Sequence, residues 1–358
     1  MSDTPVLDHI GRCPVCGSDG RLEHDNVSDR SYFTDGRWQI MDCTACRTAW
    51  LHPPPAAGDM AQYYDSVAYY THHTPERVNL DSHSPASILR RSILSSHKHY
   101  VQLRPKLAFT GVLGAVAGSF APLMARACYG TPAALVPRYR AGGKLLDVGC
   151  GSGAYLSLVQ SLGWDIYGIE PDSVAADLAH RHLGCPIHNG TLDDCLFPAA
   201  FDVVVASHVI EHTADPALFI RKAARLLKPK GQLILLLPNI RSLGHRVFGT
   251  DWYPLDPPRH LTMPSPRAFR TLMDRTALFD DIRVTTLTRQ RDVTASRAYD
   301  VRKTGGFFIP ARATLLEQTC QTLFSVVEAA GNGMFAWGEE IICMARRKNA
   351  RDGRGGAR

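Results

Sequence analysis

The stretch Leu145-Leu146-Asp147-Val148-Gly149-Cys150-Gly151-Ser152-Gly153 constrains the fold of this chain more than any other. A short apolar run enters Gly-x-Gly-x-Gly, and an amphipathic segment at 154–162 follows. Glycines in such a turn reach backbone conformations closed to other residues and let a ligand approach the main chain. The same alternation continues downstream. Segments 144–148, 165–169, 201–206 and 232–237 are short, apolar and closed by turn residues, which predicts buried parallel strands. Between them, 173–182 and 216–227 have helical periodicity. Residues 282–288 and 340–345 read as further strands, and 315–330 as an amphipathic helix. Strands alternating with helices imply an α/β fold, an open sheet covered on both faces.

The chemistry of the loop narrows its ligand. The spacing is Gly-x-Gly-x-Gly, not the Gly-x-Gly-x-x-Gly of a dinucleotide fold, and Asp147 sits at the strand end. That carboxylate would repel a pyrophosphate and attract an amino group. Glu170, 21 residues after Gly149, closes the next strand and is placed to accept hydrogen bonds from both hydroxyls of a ribose. A ligand with a ribose and an ammonium group but no phosphate is S-adenosylmethionine. A purely structural glycine turn and a nicotinamide site are the competing readings.

Asp147 to Gly153, Gly168-Ile169-Glu170-Pro171, Phe201-Asp202-Val203-Val204 with Glu211-His212, and Leu227-Lys228-Pro229 together resemble the class I SAM-dependent methyltransferases. The similarity extends to bacterial members with an N-terminal zinc ribbon and an Asp-Pro-Pro-Arg-His-Leu segment, here Asp256 to Leu261, of polysaccharide or secondary-metabolite type. Lys230 departs from that family, which usually has glycine there. The resemblance implies a Rossmann-like sheet, mostly parallel with the last strand antiparallel. It implies cofactor contacts from Asp147, Gly149, Gly151, Gly153, Glu170 and Pro171, from Thr191, Leu192 and one of Asp193 or Asp194 beside the adenine, and from Ser207 and His208 near the methyl group. His208 is the first candidate for a base or substrate-positioning residue, because imidazole exchanges protons near neutral pH. Glu211 and His212 open the next helix, where a structural or cofactor-loop role is favoured over a catalytic one, with His212 kept as a catalytic candidate. Arg259 and His260 form either a clamp for an anionic or hydroxylated substrate or an anchor for their own loop.

Cys13-Pro14-Val15-Cys16 and Cys43-Thr44-Ala45-Cys46 are two C-x-x-C knuckles 26 residues apart. Four thiolates at this spacing predict a closed tetrahedral zinc site, structural because no coordination position stays open. Gly17 follows the first knuckle as such a ribbon requires; Arg47 follows the second, where glycine is usual. The remaining cysteines, Cys150 among them, are assigned packing roles.

These signals divide the chain into a ribbon at 1–55, a connector at 56–140, a methyltransferase domain at 141–346 with a helical insertion near 290–337, and a basic tail at 347–358. Residues 107–125 carry no charge. They read as a buried helical insertion, a peripheral membrane contact or, less favoured, a span. Together with Gly305 to Pro310 they suggest an apolar cap and an amphiphilic acceptor such as a lipid-linked sugar. With 45% hydrophobic and 21% charged residues and a net charge of +6, the chain is neither disordered nor a dedicated nucleic-acid binder. No secretory signal is visible, so a cytoplasmic enzyme is expected, acting on a hydroxyl of a small molecule or glycan. RNA methylation and a non-catalytic SAM-binding role are the alternatives.

Overall fold

The structure is a computed structural model that describes residues 11–64, 135–288 and 335–349, together with 91, 94, 95, 98–100, 296, 319, 323, 324, 326–328 and 330–332. The apolar segments at 107–125 and 305–310, most of the helix expected at 315–330, and the end of the basic tail lie outside the described residues. No helix among the described residues is long and apolar enough to cross a membrane.

Two sheets make up the fold. The N-terminal one is antiparallel: β1 (Gly20–Val27) pairs with β2 (Trp38–Cys43), and β2 with β3 (Ala49–His52). Its fourth strand, β9 (Thr262–Met263), comes from far along the chain and pairs with β3. The ribbon is therefore completed by a piece of the larger domain.

The larger sheet has seven strands. These are β4 (Lys144–Val148), β5 (Asp165–Glu170), β6 (Ile187–Asn189), β7 (Phe201–Ser207), β8 (Leu227–Pro238), β10 (Phe279–Leu287) and β11 (Glu340–Arg347). They lie in the order β10-β11-β8-β7-β4-β5-β6. The pairs from β6 to β8 are parallel, and β11 runs antiparallel between β8 and β10. This is the mostly parallel sheet with an antiparallel last strand that the resemblance implied. Every expected strand of the domain is present, most of them longer by a residue or more.

Local chemistry sets the helix starts. Asp172 caps α2 (Ser173–Leu183) by accepting from the N–H groups of Val174 and Ala175. Asp215 caps α3 (Pro216–Leu226) through Leu218 N–H, with Pro216 in the first turn, where its missing N–H costs nothing. α1 (Ala154–Ser161) begins at Gly153, whose φ of 90° ends the glycine turn. Two further helices, α4 (Leu243–Phe248) and α5 (Pro266–Thr276), follow β8.

Alternate residues of the parallel strands face opposite ways. Leu146, Val204, Leu233 and Leu235 pack with Phe219, Ile220 and Phe269 of α3 and α5. Leu145, Val203, Val205 and Ile234 pack with Leu156 and Val159 of α1 and with Trp164. Cys13, Met41, Cys43 and Trp50 of the ribbon belong to the first of these layers, so the cysteine knuckles rest on the same core as α3 and α5.

Candidate functional site

β4 pairs with β5 on one side and β7 on the other, so the chain leaves the middle of the sheet in opposite directions there. The carboxyl ends of such strands open a crevice, the usual ligand position in an open α/β sheet. All the expected cofactor residues on β4, β5 and β7 come to this edge.

Gly149, Gly151 and Gly153 all have positive φ, at 72°, 54° and 90°. At Gly149 sterics agree with conformation: a Cβ there would lie 2.4 Å from Val209 Cγ2. The turn is tied down by the Gly149 and Cys150 N–H groups, which donate to the Ile169 carbonyl at 2.8 and 3.1 Å. Glu170 accepts from Gly151 N–H at 2.7 Å and from Asp172 N–H at 3.0 Å, one bond on each carboxylate oxygen. The acid expected at a ribose thus also holds the glycine loop. Asp147 is buried. Burial, reinforced by the neighbouring Glu170 charge, raises its pKa well above the ordinary carboxylate value. No ion pair among the described residues relieves it. A buried Asp147 with no ion-pair partner among the described residues, beside a second buried acid and a loop of left-handed glycines, fits a cationic amine carried on a ribose.

On the adenine side, Asp194 accepts from Thr191 N–H at 2.7 Å and from its hydroxyl at 3.1 Å, which closes the loop after β6. The Thr191 N–H bond, with help from His188, lowers the Asp194 pKa to about 2. Asp193 is exposed and pairs with Lys222. Asp194 therefore shapes the loop, while Asp193 faces outward from it.

His208 ends β7 in a left-handed conformation, φ 57°. Its Nδ1 lies 3.1 Å from Glu211 Oε1 and its Nε2 2.9 Å from Glu340 Oε1. Both carboxylates are buried. A neutral imidazole has only one N–H, so facing two carboxylates calls for two donors. His208 thus braces the strand end in this geometry, and neither ring nitrogen is left open for the role of base expected from the sequence. Burial pushes Glu211 up, but the His208 bond and the nearby His212 and His260 rings outweigh it and leave its pKa lowered.

His212 differs. Its Nδ1 is 3.0 Å from the Arg259 carbonyl oxygen and 2.9 Å from the Tyr64 hydroxyl. The carbonyl can only accept, so Nδ1 carries the proton and Nε2 the lone pair. Burial, aided by His260, lowers the pKa to about 4, which makes His212 neutral at pH 7. The His212 and His260 rings meet edge-on with centroids 4.7 Å apart. Ligand-capable atoms of Glu211, His212 and His260 all lie within 4.8 Å of one another, and Glu211 Oε2 is buried without a hydrogen bond.

Arg259 does not clamp a substrate in this structure, because its guanidinium is fully engaged. It is completely buried, donates to both oxygens of Asp29 at 2.8 and 2.9 Å, and donates to Asp256 at 2.6 and 2.9 Å. Its CZ also lies 4.6 Å above the Tyr32 ring. Arg259 joins the ribbon to the Asp256–Leu261 loop, the anchoring alternative. His260 Nδ1 donates to the Pro254 carbonyl at 2.7 Å, leaving Nε2 turned toward Glu211 at 3.9 Å. The sequence reading missed Asp29, Tyr64 and Glu340. Only Glu340 left a signal: two acids, Glu339 and Glu340, open an otherwise apolar strand.

The four knuckle thiols gather within 4.8 Å of one another. Cys13 and Cys46 sulfurs are 3.6 Å apart, and those of Cys16 and Cys43 3.4 Å apart. A tetrahedron with ~2.3 Å Zn–S bonds has edges of ~3.8 Å, so the set is close to a metal cage. The contact with Cys13 and the Thr48 hydroxyl draw the Cys46 pKa below the ordinary thiol value. After each knuckle the chain turns left-handed, at Gly17 with φ 77° and at Arg47 with φ 62°. Arg47 keeps the geometry glycine would give, and its guanidinium reaches Asp42 at 3.1 Å.

An open α/β sheet with this strand order, a glycine loop after its first parallel strand and an acid closing the next defines a nucleoside-binding domain of the methyltransferase kind. Residues 121–278 match a family described as methyltransferase domain. The ubiquinone biosynthesis O-methyltransferase of Nitrobacter winogradskyi is 36% identical over 98 residues, 26% of this chain and 38% of that protein. The one from Bartonella tribocorum is 27% identical over 158 residues, 40% of this chain and 63% of that protein. The chain thus spans less than two thirds of the length of these curated relatives. Among solved structures, a SAM-dependent methyltransferase of Thermotoga maritima, titled a possible histamine N-methyltransferase, is 19% identical, with 60% of this chain and 85% of that one covered at a TM-score of 0.39.

Proposed function

We propose that this chain transfers the methyl group of S-adenosylmethionine to a hydroxyl oxygen of a small-molecule or glycan acceptor, with zinc in the cysteine cage as a structural ion. The observation that carries this reading is the pair of buried acids at the strand ends. Asp147 has no ion-pair partner among the described residues, and Glu170 lies next to it holding the glycine loop. The relatives named as O-methyltransferases favour oxygen as the acceptor atom.

The bound sulfonium supplies a methyl group already activated for transfer. The chain has to bind the amine at Asp147 and the ribose at Glu170, hold the acceptor in line, and receive the hydroxyl proton. His212 is the group suited to that last task. It is neutral at pH 7, its tautomer is fixed by the Arg259 carbonyl, and its Nε2 lone pair is unprotonated. His208, Glu211 and Glu340 set the shape of the strand end next to it. Four cysteine ligands close the metal shell, so zinc would contribute folding energy and no chemistry.

Calorimetric titration with S-adenosylmethionine, followed by incubation of small-molecule extracts with isotopically labelled donor, tests the proposal. Saturable binding and label recovered in a methoxy group are expected. Binding of a pyrophosphate-bearing nucleotide in preference to S-adenosylmethionine refutes the cofactor assignment, and label appearing only on carbon or nitrogen refutes the oxygen acceptor.

A further inference from the structure

Away from the strand-end crevice, β1 meets α4 in a cleft of about 320 Å³, lined by Glu23, His24, Arg47, Arg241, His245 and Arg246 among others. His24 and Glu23 come from the ribbon and His245 from the larger domain. The Nε2 atoms of His24 and His245 face each other at 3.0 Å, with the rings edge-on at 84°. We propose that Glu23, His24 and His245 bind a transition-metal dication of the Zn2+, Co2+ or Ni2+ type, which clamps the ribbon to α4.

Three features support the site. First, the geometry suits two imidazoles on one ion. With metal–nitrogen bonds of ~2.0 Å, the edge of a tetrahedron is ~3.3 Å, close to the separation seen. Ligand atoms of all three residues lie within 4.8 Å of one another. Second, a hydrogen-bonded histidine pair would account for two of the three groups only. Glu23 Oε2 is buried and has no hydrogen-bond partner, whereas a metal ion would engage it together with both rings. Third, His245 is held in place from behind. Its backbone N–H donates to the Ser242 hydroxyl at 3.0 Å, which fixes its place at the start of α4. It also packs against Trp252 with centroids 5.2 Å apart. Glu339 in turn accepts from Gly244 N–H and from Trp252 Nε1, both at 2.7 Å, which fixes α4 and the tryptophan together.

The arginines on the cleft walls decide which ions qualify. Arg241 pairs with Asp42 and approaches Glu23 Oε1 at 3.4 Å, and Arg47 also pairs with Asp42. A hard cation such as Mg2+ or Ca2+, held by charge on oxygen ligands, would gain little from one carboxylate among these cations. An ion that prefers imidazole nitrogen is far less dependent on carboxylate charge. Arg246 and Arg47 would also favour an anion or hydroxide over a neutral molecule as a fourth ligand.

Elemental analysis of the full chain after equilibrium dialysis against Zn2+ tests the inference, with His24→Gln and Glu23→Gln compared with the unaltered protein. Both variants are expected to hold one equivalent less metal, while Cys13→Ser loses a different equivalent. With Co2+ as the probe, the unaltered chain should show bands free of thiolate charge transfer that vanish in His24→Gln and persist in Cys13→Ser. Glu23 is only half-buried, so its variant reports even where the histidine change disturbs folding. Equal metal content in the unaltered chain and both variants overturns the site, as does a Co2+ spectrum arising from the cysteine cage alone.

Discussion

Asp147→Asn should make the cofactor-free chain more stable and the cofactor complex weaker. The carboxyl is buried, lies beside a second buried acid, and has no ion-pair partner among the described residues. Its folded pKa is raised, so the folded state binds more protons than the unfolded chain above the unfolded pKa of ~3.9. Stability is then lost as pH rises from ~3.9 toward the raised folded value, and the full penalty applies above it. Replacing the acid by an amide removes a penalty on the order of 1–3 kcal/mol, the range for a buried polar group without compensation. At about 2–4 °C per kcal/mol for a domain of this size, the melting point should rise by roughly 2–12 °C at neutral pH. The gain should shrink as pH falls toward ~3.9. Binding moves the other way. A charge-assisted hydrogen bond to the amine is worth about 1.5–3 kcal/mol, so Kd should rise roughly 10- to 150-fold. Scanning fluorimetry across pH and calorimetric titration with S-adenosylmethionine measure the two effects. A lower melting point at pH 7, or an unchanged Kd, refutes the claim that Asp147 waits for a cation.

Lys230 has φ 61°, the conformation of the glycine it replaces, and its exposed pair with Asp280 contributes little. Lys230→Gly should therefore stabilise the chain by about 0.5–1 kcal/mol in denaturant titration. Arg47→Gly relieves the same strain but deprives the buried Asp42 of one of its arginines, so no gain is expected there. Arg259→Met leaves the buried Asp29 and the half-buried Asp256 without their cation and should cost about 3–5 kcal/mol, seen as a large fall in melting point. Chelation of the metal, or Cys13→Ser, should raise the acceptor KM several-fold in a methyl-transfer assay while the Kd for S-adenosylmethionine changes less than twofold.

What could be read in the sequence was local. The strands and helices around the glycine loop follow from apolar runs closed by turn residues, and the loop follows from its glycines. The metal knuckles follow from cysteine spacing. What could not be read was long-range pairing. Asp29 sits in a polar stretch without periodicity, and nothing marks it as the partner of an arginine 230 residues away. β9 is two residues long, too short to carry a strand pattern, yet it completes the ribbon sheet. α4 and α5 were passed over because their sequences are short or strongly polar; a serine cap, at Ser242 and Ser265, was the available signal. The same limit affected the histidines. The sequence placed His208 at the right strand end, but its protonation partners come from Glu211 nearby and from Glu340 far along the chain.

These long-range contacts explain why the ribbon should affect the acceptor side of the site more than the cofactor side. Leu51 N–H on β3 donates to the Leu261 carbonyl at 3.0 Å, and Leu261 N–H donates to the Glu211 carbonyl at 2.7 Å. The Glu211 side chain then meets His208 at the end of β7. In parallel, Asp29 holds Arg259, whose carbonyl fixes the tautomer of His212. Both routes run from ribbon strands or turns to the histidines beside the expected methyl position. Asp147 and Glu170, by contrast, are set by β4, β5 and the glycine loop, which are packed by the larger sheet and its own helices. Loosening the cysteine cage therefore perturbs the orientation of His212 and His208 before it disturbs the two acids. A ribbon built in this way links the cysteine cluster to His208 and His212 through two separate chains of hydrogen bonds.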